Sequence, residues 1–116
     1  MKKNFHTRYE RGLMSTLRAV ADLCCEKLGV NYKSFNKIHA NDPLIKEHWH
    51  GYNRDGHIRI FLYNRDLRYY SLASLVDTVV HEVAHLIYLR HDKRHKRCHN
   101  MLLRYVKKYL KERIIF

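Results

Sequence analysis

His81, Glu82 and His85 stand in the order HEVAH. On a helix, two histidines four residues apart lie about one turn from each other and can turn their imidazole nitrogens to one Zn²⁺. Glu82 then stands beside such a metal, where its carboxylate can take a proton from a zinc-bound water of pKa about 7 and deliver it to a leaving amine. With ten His and five Glu in 116 residues, a random order would contain HExxH with a probability of roughly 0.04, so the motif is informative before any context is added. The bland alternative is a set of surface histidines on a basic helix.

A catalytic zinc site takes three protein ligands, and the stretch HEVAHLIYLRHDKRHKRCH offers His91, His95 and His99 for the third. In an unbroken helix His91 would sit about 120° off the metal face. The apolar period pauses at Arg90, His91 and Asp92, and Asp92 can cap a new helix, so a break there would swing His91 back across the metal. His95 and His99, four apart on the following helix, read as exposed members of its basic face. Cys98 reads as a plain helix residue. His48 and His50 alternate on a strand and form a weaker candidate pair, with strand-surface histidines as the competing explanation.

Amphipathic elements must position these residues. Tyr9, Leu13, Leu17, Val20, Ala21, Cys24 and Leu28 recur at helical spacing, and Gly29 supplies a C-terminal stop. Asp55-Gly56 between HWHGYNR and HIRIFLY predicts a two-residue hairpin, with a third strand over Tyr32 to His39. In the HIRIF strand, Ile58 and Ile60 would share one face and His57 and Arg59 the other, as in a half-buried edge, and a substrate could add as a further strand there. From Ser71 to Arg90, Leu72, Leu75, Val76, Val79, Val80, Val83, Leu86 and Ile87 fall in one helical arc, leaving His81 and His85 on the opposite side. A last helix from about Asp92 points Met101, Leu102, Tyr105, Val106, Tyr109 and Leu110 inward. It points Arg97, Arg104, Lys107, Lys108 and Lys111 outward. Tyr52, Tyr70, Tyr105 or an arginine are the candidates for stabilising a transition state.

Composition bounds the rest. The chain of 116 residues, 46% hydrophobic and with four glycines and one proline, suits one domain over residues 1–116, without an accessory domain. No apolar run reaches the roughly 18 residues of a membrane span, and the basic N-terminus lacks the apolar stretch of an export signal. Three cysteines, two of them adjacent, read as reduced thiols in a cytoplasmic compartment, or a nucleoid or nuclear one if the chain is DNA-associated. The net charge of +12 leaves two alternatives, contact with nucleic acid or a solvated basic surface. Oligomeric state is not legible.

HEVAHLIYLRHD resembles the HExxH-x5-H pattern of the SprT-like, WLM and YgjP-like group of small zinc metallopeptidase domains, and its HDxxF-like ending favours the WLM branch. The preceding IRIFLYNRDLRYYSLASLVDTVVHEVAH resembles their strand, Asn-containing loop and metal-binding helix, so the likeness covers roughly residues 57 to 110. It implies His81, His85 and His91 as zinc ligands and Glu82 as general base. Two positions depart from the pattern of related enzymes. His95 stands where these families place Phe or Trp, and Tyr88 stands where metzincins need glycine.

The expected architecture is therefore α+β, a minimal zincin-like domain with an N-terminal helix, a small antiparallel sheet, the HExxH helix and a C-terminal helix. The expected activity is Zn²⁺-dependent hydrolysis of a protein or peptide substrate, extending by resemblance to DNA-associated proteins. Two competing expectations are a basic nucleic-acid-binding protein with a structural or degenerate zinc site, and zinc-assisted phosphoester hydrolysis. The second is disfavoured by the lack of an acidic cluster for another metal.

Overall fold

The computed structural model describes residues 2–39, 42–43 and 50–113. Helix α1 (Lys2–Leu28) buries Met14, Leu17, Val20, Ala21 and Cys24. It ends at Gly29, where φ is +70°. There Val30 N–H donates to the Cys25 carbonyl at 3.1 Å and Gly29 N–H to that of Glu26 at 3.3 Å, the paired bonds of a glycine-terminated helix. Tyr9, expected inside, is exposed, its ring set edge-on to Tyr69.

Three strands follow: β1 (Ser34–Lys37), β2 (Gly51–Arg54) and β3 (His57–Ile60). Asp55 and Gly56 both have positive φ, 54° and 87°, which gives the β2–β3 hairpin the tight turn that matches strand twist. The sheet order is β1-β3-β2, with β2 antiparallel to β3 and β1 parallel to it. The sheet is thus mixed where an antiparallel one was expected. The cause is where β1 docks: Lys33 N–H donates to the Gly56 carbonyl at 2.7 Å and Ile38 N–H to that of Ile60 at 2.9 Å, so β1 starts level with the hairpin turn and runs alongside β3. It also makes β3 the central strand and β2 an outer one, correcting the expectation that HIRIF is an edge. The alternation within β3 holds, with Ile58 and Ile60 fully buried and His57 and Arg59 both meeting the Ser34 hydroxyl.

Helix α2 (Leu72–Ala84) opens on Ser71, whose hydroxyl accepts from Ser74 N–H at 3.2 Å, a standard N-cap. Leu75, Val79, Val80 and Val83 are sealed in the core, each worth about 1.5–3 kcal/mol of burial, and this holds the helix rigidly enough to present its other face. Leu72 and Ile87 are exposed rather than inside, because Leu72 opens the helix and Ile87 lies beyond its end. Helix α3 (Lys93–Arg113) is capped by Asp92, which accepts from Arg94 N–H at 2.9 Å and His95 N–H at 3.1 Å. Leu102 and Val106 anchor it in the core shared with α1 and α2. Among the described residues no helix is long and apolar enough to cross a membrane.

Candidate metal centre

Gly51 lets β2 lie directly on α2. A Cβ there would fall 2.8 Å from Thr78 Cγ2 and 2.9 Å from the Arg59 carbonyl oxygen. Two residues on, Asn53 donates its amide to the Glu82 carbonyl at 3.0 Å. Between strand and helix opens a cavity of about 920 Å³, lined by His50, Gly51, Tyr52 and Asn53 on one side and by Asp77, Thr78, His81 and Glu82 on the other, with His85 and His91 at one end.

Helix α2 stops sooner than expected. The break falls at His85, not at Arg90–Asp92. His85 is the C-cap, with φ −68° and ψ −10°. Leu86 N–H then donates to Val83, and Tyr88 N–H to Ala84, closing the chain in tight turns. The His85 Nδ1–H donates to the Tyr88 carbonyl at 2.9 Å, which secures the turn and leaves Nε2 as the bare nitrogen. The apolar letters of LIYL conceal this end, and the turn they form carries His91 back over the helix.

Three imidazole nitrogens converge as a result. His81 Nε2 lies 3.0 Å from His91 Nε2 and 3.2 Å from His85 Nε2, and the last two are 2.9 Å apart. Nitrogens about 2.05 Å from one tetrahedral ion stand about 3.3 Å apart, so the set fits a small divalent cation, and His81, His85 and His91 could hold a metal ion. His81 and His85 are disposed to stay neutral, the ligating form. Burial, reinforced by the neighbouring imidazoles of His95, His85, His99 and His91, holds His81 down at about 4. Burial likewise depresses His85 against the opposing pull of the Tyr88 carbonyl. Glu82 is 6% exposed, and burial pushes its carboxyl up to about 7, the range of a general base working near neutrality.

His95 and His99 do not occupy the exposed basic face expected of them. His95 is 3% exposed and donates Nε2–H to the His81 carbonyl at 3.1 Å. His99 is partly buried, its Nδ1 3.3 Å from His81 Nδ1 and its Nε2 3.0 Å from Asp77 Oδ1. A signal for His95 exists: stepping back from Leu102 by helical spacing reaches Cys98 and His95, so the buried stripe of α3 extends beneath the triad. Cys98 is itself a buried, free thiol. Of the tyrosines, Tyr52 lines the cavity, Tyr70 packs against the cavity residue His50, and Tyr105 lies under Lys27 on the α1 side. His48 lies outside the described residues.

No family model, curated protein or solved structure matches the chain.

Proposed function

We propose that the chain is a zinc-dependent metallopeptidase of zincin-like type, with His81, His85 and His91 as metal ligands and Glu82 as general base. The observation that carries this is the convergence of three Nε2 atoms in a cavity that also holds a buried glutamate. When bound there, Zn²⁺ supplies a Lewis acid that polarises a carbonyl and lowers the pKa of water to about 7. Glu82 accepts the proton of the attacking water, and its raised pKa lets it release that proton to the departing amine. The low pKa values of His81 and His85 keep both rings in the neutral form. Of the candidate oxyanion donors, Tyr52 is a cavity-lining residue. β2 is the sheet strand that borders the cavity, so an extended peptide would bind alongside it through main-chain hydrogen bonds.

Among the described residues, three facts support a catalytic site over a closed structural one: His95 Nε2 is engaged by the His81 carbonyl, both ring nitrogens of His99 are engaged by His81 Nδ1 and Asp77, and Cys98 is packed in the core. A second function, binding of nucleic acid with the metal as a structural element, is favoured by one observation. From Lys93 to Lys111 α3 contains no acidic residue, and Arg97, Arg104, Lys107, Lys108 and Lys111 are exposed. The same surface would bring a DNA-associated protein substrate to a peptidase. The deciding experiment measures bound zinc and peptide cleavage, with and without DNA, for wild type and Glu82→Gln. Zinc bound by both but cleavage only by wild type is expected; zinc without cleavage in either would favour the structural role.

A further inference from the structure

His81 and His85 are oriented by different means. His85 rests on a main-chain carbonyl of its own turn, whereas His81 rests on side chains: His99 from α3, and behind it Asp77, one turn earlier on α2. We propose that Asp77 and His99 form a positioning relay that sets the tautomer of His81 and thereby its affinity for the metal, an inference that rests on the metal-site assignment above.

Hydrogen-bonding capacity fixes the direction of the relay. An ionised Asp only accepts, so the proton between Asp77 Oδ1 and His99, 3.0 Å apart, belongs to His99 Nε2. In the neutral ring this leaves His99 Nδ1 with a lone pair, and the 3.3 Å contact to His81 Nδ1 is then a bond that His81 donates. His81 Nε2 is consequently bare, and it is this atom that faces His85 and His91. Without the acceptor, His81 divides between two tautomers, only one of which can ligate. Asp77 polarises both imidazoles in the same sense, raising the basicity of Nε2 at the far end. Neither residue touches the metal position. The relay also spans two helices, so the packing of α3 on α2 bears directly on the site.

The test compares wild type, His99→Phe, His99→Gln and Asp77→Ala, with zinc affinity read by competition with a chromophoric chelator and the His81 tautomer read by nitrogen NMR of the metal-free proteins. In wild type His81 should carry its proton on Nδ1. His99→Phe should weaken zinc binding roughly 10–100-fold and mix the tautomers. His99→Gln, whose amide oxygen can accept from Nδ1, should recover most of the affinity. Asp77→Ala, at a position more than half exposed, should give a smaller loss in the same direction without a cost in folding, and it decides the matter if His99→Phe does not fold. An Nε2-protonated His81 in wild type, or zinc bound equally by wild type and either disruptive variant, overturns the relay. Wild type that binds no zinc overturns the metal site and the relay with it.

Discussion

The ring of His95 lies flat beneath that of His85, centroids 4.1 Å apart and planes 27° from parallel. This imidazole supplies an aromatic floor under His85 while also donating to the His81 carbonyl. His95→Phe should therefore keep the floor and lose one hydrogen bond, about 1 kcal/mol. His95→Ala should cost about 2–4 kcal/mol through the void it leaves. Urea midpoints of the two variants give the comparison, and equal losses would show that stacking contributes nothing.

Glu82→Gln keeps the shape of the side chain and removes the proton acceptor. Peptide turnover should fall roughly 10²–10⁴-fold with zinc content unchanged. Full turnover in the zinc-loaded variant would place the base elsewhere.

Metal loading should stabilise the fold, because the ligands converge only once α2 has ended and the turn has closed. At a free zinc concentration 1,000 times the dissociation constant the gain is about 4 kcal/mol. Thermal melts with zinc and with chelator should differ in wild type and coincide in His91→Ala, whose residue is exposed and contributes little packing. A zinc-dependent shift retained by His91→Ala would remove it from the ligand set.

In the metal-free protein the half-buried His81 and the buried Glu82 oppose each other as pH changes. His81 is held at about 4, below its ordinary 6.5, so the stability it contributes is present above pH 6.5 and lost as pH falls through about 4. Glu82 is raised to about 7 from 4.5, so its contribution is present below pH 4.5 and lost as pH rises through about 7. The Glu82 separation amounts to roughly 3 kcal/mol and that of half-buried His81 to less, because solvent screens it, and between about pH 4.5 and 6.5 the two act in opposite directions. Glu82→Gln removes one side of the balance. With chelator present, its urea midpoint should fall on acidification more steeply than that of wild type. Matching profiles would refute the buried carboxyl as a titrating partner.

Gly51→Ala should cost about 1–3 kcal/mol, since the new methyl meets the Arg59 carbonyl as well as Thr78 Cγ2. Thr78→Ser removes that methyl, so the double variant should recover part of the loss, a coupling that urea melts of the four proteins measure. Strictly additive losses would mean that β2 moves away from α2 instead.

Local chemistry made much of this structure legible. Gly29, Asp55-Gly56 and Asp92 each end or turn the chain where backbone physics requires, and the core face of α2 follows its apolar spacing. The parallel docking of β1 was not legible, because SFNK is too short to show which neighbour it pairs with, and that choice is made by main-chain bonds to Gly56 and Ile60. The site divides in the same way. HEVAH announces two of the converging imidazoles and the buried glutamate, but the early end of α2 comes with a side-chain bond by His85 to a carbonyl ahead of it, invisible in a run of apolar letters. The burial of His95 follows the apolar stripe of α3, but the work of His99 depends on how α3 crosses α2, which no local pattern records.

The early termination of α2 at His85 has an electrical consequence. The aligned peptide dipoles of a helix act at its C-terminal end as about half a negative charge, and here that end coincides with two of the three converging imidazoles. The opposite pole, at the start of α3, is occupied by the carboxylate of Asp92. A cation entering the triad therefore meets the negative terminus of one helix without the full positive terminus of the next, an attraction of about 0.3–1 kcal/mol per charge at such positions. Had the helix run on to Arg90, that field would have been displaced by more than a turn, and the three imidazoles would attract a metal without it.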